Sequence, residues 1–159
     1  MELTRDRAWE TLTTYTKSES LRRHALAVEA STRSYARRFG EDEELWGVVA
    51  LLHDFDYEIH PTLDEHPQDG APILREEGYP EEVIEAVLSH AEHLELPRDT
   101  MLKKTLFACD ELSGFVHACG LVRPAGLDGL ELDEHIANVV EALQPIAKEL
   151  GLRTAADAA

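Results

Sequence analysis

The residues with most chemistry to offer are a histidine and an aspartate side by side, His53-Asp54, at the end of the apolar run that closes on Leu51-Leu52. Neutral imidazole and ionised carboxylate are both good ligands for a divalent cation. Adjacent helical positions point about 100° apart, so both can reach one ion only where a helix ends and the backbone bends away. Asp56 and His60-Pro61, just downstream, mark such an end. Four more ionisable residues fall on or beside apolar faces or next to turns: His24, His66, His90 and Asp110. Taken singly, each has an ordinary explanation. His24 or His90 could be a hydrogen-bonded core histidine, His66 could cap a loop, and Asp110 could pair with Lys103 or Lys104. A separate explanation is then needed for every residue, where one metal centre bridged by a carboxylate needs about this many ligands.

Helices must position these groups, because the hydrophobic period is helical almost throughout. A first helix is expected from about Arg5 to Tyr15, with Leu3, Ala8, Trp9 and Leu12 inward. Thr16-Lys17-Ser18-Glu19 has capping-box spacing, and Ser20 is an alternative cap for the second helix. That helix carries the seam Leu21, Ala25, Val28, Thr32, Tyr35 and Phe39 until Gly40 stops it. His24 lies beside the seam. A third helix from about Asp42 leads Leu45, Val48, Val49, Leu51 and Leu52 into His53-Asp54.

From Phe55 to Gln68 the chain reads as loop, and a proline after His60 and after His66 favours extended backbone there. A short helix, about Asp69 to Glu77, closes at Gly78. Pro80 opens another with Val83, Ile84, Val87 and Leu88 inward, and His90 continues that row. His93, near the end before Pro97, faces solvent. A long helix from about Asp99 to Gly120 has the stripe Leu102, Leu106, Cys109, Leu112, Phe115, Val116 and Cys119, with Asp110 inside it. A buried carboxylate there is costly unless paired or metal-bound. A last helix, about Asp133 to Leu150, is kinked at Pro145.

Composition sets outer bounds. A chain of 159 residues with 43% apolar content suits one domain with a real core. No apolar run is long enough to span a bilayer and no signal-like start is present, so the expectation is a soluble cytoplasmic protein with no membrane partner. Cys109 and Cys119 sit roughly 15 Å apart along one helix, beyond disulfide reach, and read as small buried hydrophobes. With 32 acidic and 15 basic residues the formal net charge is −17, which repels long nucleic acid. A small phosphorylated ligand stays possible, because a bound metal supplies positive charge locally.

The order His24, His53-Asp54, Asp110 resembles the signature of the HD-domain superfamily of metal-dependent phosphohydrolases, and His66 and His90 resemble the extra histidines of its dinuclear members. Flanking words agree: Ser20-Leu21-Arg22-Arg23-His24-Ala25, Leu51-Leu52-His53-Asp54-Phe55-Asp56-Tyr57, Asp110-Glu111-Leu112-Ser113-Gly114-Phe115, Gly120-Leu121-Val122-Arg123-Pro124 and Leu132-Asp133-Glu134-His135-Ile136 are similar to those of small bacterial HD-domain hydrolases. One stretch departs. Members of that group carry a longer basic segment after the Arg-Pro, whereas Pro124 here runs into Ala125-Gly126-Leu127-Asp128-Gly129. Either the connection is shortened or residues are missing, and any lid or substrate contact from that segment loses its support.

The resemblance implies an all-α HD-domain bundle of about six to seven helices over residues 1–151, a short tail over 152–159, and a metal site between helices. It implies one or two divalent ions (Fe, Mn, Co, Ni or Mg), with His24, His53, Asp54 and Asp110 holding one and Asp54 bridging to a second on His66 and His90. The implied activity is hydrolysis of a small phosphate ester, such as a nucleotide, by a metal-activated water. Asp56 would orient a ligand, accept a proton or cap the turn, while Lys103, Lys104 and Arg123 would contact phosphate or remain surface charges. Two other readings stay open: a mixed-valent di-iron oxygenase, which some HD-domain proteins with this ligand set are, and a non-enzymatic binding module with a structural metal.

Overall fold

The computed structural model describes residues 3–122, with side chains as far as Phe115. The expected last helix, the tail, Pro145, the Pro124–Leu130 connection and Arg123 lie outside the described residues. The chain divides into two compact units, 1–117 and 118–159, and the geometry that follows belongs to the first. Described secondary structure is entirely helical: α1 Arg5–Tyr15, α2 Glu19–Phe39, α3 Glu43–Leu52, α4 Gly70–Glu76, α5 Glu81–Leu88, a 3-10 turn Glu92–Leu94, and α6 Met101–Val122. No described helix is long and apolar enough to cross a membrane.

The axis of the bundle is α3. Asp42 caps it by accepting from the backbone N–H groups of Glu44 and Leu45. Every residue from Trp46 to Leu52 is buried, because α1, α2 and α5 all pack against this one helix. A helix apolar on all sides can sit only in the middle. Its C-terminal end therefore opens inside the bundle, and that is where His53 and Asp54 stand.

Four sequence expectations shift. Ser18, not Thr16 or Ser20, caps α2 by accepting from the Leu21 N–H. The buried Thr16 hydroxyl instead donates to the Phe55 carbonyl at 2.7 Å, tying the α1–α2 turn to the chain beyond α3. The α2 seam runs through Ala25, Val28, Thr32 and Ala36. Tyr35 and Phe39 lie outside it, stacked on each other. On α6 the buried row is Leu102, Leu106, Cys109 and Ser113, while Leu112 and Phe115 are 61% and 66% exposed. The reason is the face α6 turns to α2, fixed by the contacts His24 to Asp110 and Ser31 to Ser113. Residues 55–69 form successive backbone-bonded turns rather than an extended loop, with a cis His66–Pro67 peptide.

Glu29, buried on the α2 seam, was not visible as a core residue. It accepts two hydrogen bonds from Arg5 (2.8 and 3.0 Å) and one from Arg33 (2.9 Å), and Arg33 also reaches Glu44. The network stitches α1, α2 and α3 together. Gly47 makes room for it, since a Cβ there would lie 2.3 Å from Arg33 Nε. Removing one partner of a buried ion pair strands the other. Arg5 is part-exposed, so Glu29→Ala is expected to cost about 2 kcal/mol rather than the full buried-pair penalty. Urea unfolding of the two proteins measures it, and an unchanged midpoint contradicts a stabilising network.

Candidate metal centre

Five segments deliver side chains to one place. His24 comes from the first turns of α2, His53 and Asp54 from the end of α3, His66 from the turns before α4, His90 from just past α5, and Asp110 from the middle of α6. Two sets of ligand atoms result, each close enough to hold a cation: His24, His53, Asp54 and Asp110, and Asp54, His66 and His90. Asp54 belongs to both. Its Oδ2 lies 3.3 Å from His53 Nε2 and 3.6 Å from His24 Nε2, while its Oδ1 lies 3.2 Å from His66 Nε2 and 3.4 Å from His90 Nε2. Asp110 Oδ1 completes the first set at 2.9 Å from His24 Nε2 and 3.4 Å from His53 Nε2.

The outer ring nitrogens show what the inner ones are for. His53 Nδ1 donates to the Ala50 carbonyl at 2.7 Å, and His90 Nδ1 to the Val87 carbonyl at 2.6 Å. A carbonyl only accepts, so Nδ1 carries the hydrogen in each neutral ring and Nε2 presents a lone pair. His66 Nδ1 meets Asp56 Oδ1 at 2.9 Å, with the same result. The lone pairs of His66 and His90 then face each other at 3.3 Å, beside an Asp54 oxygen. Electron-rich atoms at that separation need a proton or a cation between them. The donor set, imidazole nitrogen and carboxylate oxygen with hydrogen-bonded outer nitrogens, fits a divalent metal.

Without metal, protons take that role. Burial opposes charge on His66, but its bonds to Asp54 and Asp56 outweigh it and raise the ring to about 9. His53 is likewise raised, burial being overcome by the Asp54 charge and the Asp110 bond. Burial pushes Asp110 upward, yet its bonds to His24 and His53 hold it below the usual carboxylate range. Asp54 lies well below that range too, where His53 outweighs burial.

Asp56 is fully buried, and both its oxygens face imidazoles, His66 Nδ1 at 2.9 Å and His60 Nδ1 at 3.3 Å. That geometry suits orientation of His66; it turns the carboxylate away from the gap between the two ligand sets. Its backbone carbonyl also accepts from Ile59 and His60, closing the turn. The lysines are not drawn in. Lys103 is two turns before Asp110, but its ammonium pairs with Asp99 (3.1 Å) and Glu85 (3.7 Å) beside a separate groove of about 340 Å³ that also borders Trp46 and Glu82. Lys104 is exposed, about 9 Å along α6 from Asp110, and no described contact joins it to the ligand sets. Asp110 accordingly pairs with histidines and not with either lysine. His93 is exposed, as expected.

Two residues escaped the sequence reading. Arg98 donates to the carbonyls of Ser89 (2.8 Å) and His90 (3.4 Å), pinning the segment that carries His90. Tyr57, partly exposed, sets its ring edge-on to His66 with centroids 5.2 Å apart. Neither has a periodic signal; only the Asp-Tyr step after Phe55 hinted at the second.

A family model described as the HD domain matches residues 21–114, a span that runs from His24 through Asp110. No curated protein matches the chain. No solved structure matches it either.

Two outcomes are expected. Asp54→Ala, which removes the ligand common to both sets, should strip metal from protein purified without chelators, whereas His93→Ala should retain it; equal metal content in the two refutes the assignment. The second concerns pH in chelator-treated protein. A raised His66 stabilises the fold fully below its unfolded value of about 6.5, and this contribution fades as pH rises through 9. The depressed Asp110 stabilises above about 4 and loses its contribution only in stronger acid. Melting temperature should therefore fall between about pH 6.5 and 9, and His66→Gln should flatten that fall. A flat wild-type profile would contradict the shift.

Proposed function

The chain belongs to the HD domain family, and on that premise we propose that it is a metal-dependent phosphohydrolase acting on a small phosphate ester such as a nucleotide. The observation that carries this reading is the shared Asp54 carboxylate, one oxygen turned to His24 and His53, the other to His66 and His90. In it, His24, His53, Asp54 and Asp110 hold one ion, and Asp54, His66 and His90 hold a second. Bound divalent metals there supply positive charge for a phosphoryl group and bring water ionisation toward neutral pH.

The chain's own residues supply the rest. The Ala50 and Val87 carbonyls hold His53 and His90 with Nε2 inward, and Asp56 does the same for His66. Preorganised ligands leave little to rearrange when substrate arrives. The lysines do not supply the phosphate charge in this reading: Lys103 is spent on Asp99 and Glu85, and Lys104 stands apart. Tyr57, a partly exposed ring packed edge-on beside His66, is in this reading the aromatic group that would meet the organic part of the ester, such as a nucleoside. A net charge of −17 argues against long nucleic acid and leaves the metal pair as the local attraction for one phosphate.

The dinuclear arrangement of nitrogen and oxygen ligands also supports the di-iron oxygenase, because such ligands accept iron as readily as manganese or cobalt. One experiment separates them. Protein purified without chelators is analysed for each metal, then assayed for phosphate release across nucleotides and sugar phosphates and for oxygen uptake. The expected outcome is one or two non-iron divalent ions per chain with phosphate released, and no release from Asp54→Asn. Two irons per chain with oxygen consumed and no phosphate released would replace the hydrolase reading with the oxygenase. A full metal complement with neither activity would leave the binding-module reading.

A further inference from the structure

Asp56 poses an accounting problem that the ligand sets do not solve. Its carboxylate has no exposure, and each oxygen has one side-chain donor within the described residues. Oδ1 takes the His66 Nδ1 hydrogen at 2.9 Å, and Oδ2 faces His60 Nδ1 at 3.3 Å. A buried carboxylate oxygen left without a donor is costly, and the group moves or changes its bonding to avoid that. The space around it allows little movement. The Asp56 carboxylate packs on the Cα of Gly70, where a Cβ would lie 2.6 Å from both its Cγ and Oδ2 and 3.0 Å from Phe55 Cε1. The His60 ring, only partly exposed, therefore closes a cradle of which Gly70 and Phe55 are the other walls. Its own backbone N–H bonds to the Asp56 carbonyl at 2.8 Å, so the ring is carried by the same turn that it braces.

We propose that His60 is a positioning residue for one half of the metal centre: by donating to Asp56 it holds the carboxylate on His66 Nδ1, and so keeps His66 Nε2 directed at the Asp54 and His90 ligand atoms. The effect is local to the His66 side. The His53 and His24 ligand atoms are held by Ala50, Asp110 and α2, with no bond to Asp56 or His60. His60 is thus expected to govern the second ion and not the first. The inference rests on the dinuclear reading of the site, but the tautomer it assigns to His66 exists with or without metal.

The test uses the full chain, stripped with chelator and titrated with Mn²⁺ while free Mn²⁺ is counted by electron paramagnetic resonance. Wild type should bind two ions per chain. His60→Ala should keep the first step and weaken the second by about 10- to 100-fold, the range for loss of a group behind a ligand. His60→Asn, whose side-chain amide nitrogen sits where Nδ1 does, should restore the second step. Unchanged binding in His60→Ala overturns the proposal, as does equal weakening of both steps or a loss in His60→Asn as deep as in the alanine variant. Ring ¹⁵N shifts of His66 in the metal-free chain, at alkaline pH where the ring is neutral, give the independent readout. Nδ1–H in wild type and a mixed tautomer in His60→Ala support the proposal, and the same tautomer in both overturns it. If wild type binds no Mn²⁺ or other divalent ion, the dinuclear reading fails, and the tautomer result alone decides the role of His60.

Discussion

Electrostatic crowding around Asp54 is the constraint on which this molecule depends. One carboxylate and four imidazole nitrogens, with a second carboxylate close by, share a space a few ångströms across, and the outer nitrogens of three rings are already committed to acceptors. Such an arrangement is unfavourable as neutral rings and bare carboxylates. It becomes favourable once positive charge enters, as protons or as metal, and metal satisfies more lone pairs at once. The raised histidines and depressed aspartates of the metal-free chain are the proton form of the same requirement.

Holding that crowd together falls to α3 and to the segments that end beside it. Because α3 is buried on all sides, its C-terminal end cannot drift, and His53 and Asp54 inherit its rigidity. The other residues of the two sets arrive from separate elements, and bonds outside those sets brace the turns around them: Thr16 to the Phe55 carbonyl, Arg98 to the Ser89 and His90 carbonyls, Asp56 to His66. The Glu29 network fastens α1 and α2 to the other end of α3. The centre is thus built at the meeting point of elements whose mutual positions are fixed elsewhere. Ligands on helices and bonded turns are placed more firmly than ligands on free loops.

The resemblance noted in the sequence and the family match agree, and the match spans the four residues that carry the resemblance. All six expected ligands converge. Expectations drawn from charge alone fared differently. Lysines near a carboxylate in sequence were natural partners for Asp110, yet the histidines occupy it, because α6 turns that residue toward α2 and α3.

The sequence by itself determined the helical elements and marked out the histidines and aspartates that the fold brings together. Helical period, Asp42 as cap and Gly40 and Gly78 as stops act within a few residues, so α1, α3, α4 and α5 were legible to within a residue or two. The histidines and Asp110 stood out because an ionisable group on an apolar face is costly without a partner. Tertiary structure alone decided which face of α6 is buried, how Ala36 displaced Tyr35 and Phe39 from the α2 seam, and that Glu29 belongs in the core. It also decided that Asp54 serves two groups at once and that Asp56 stands between His60 and His66. Periodicity reports which residues share a face of one helix. It carries no information on the angle at which the next helix meets that face, and contacts between distant segments depend on that angle.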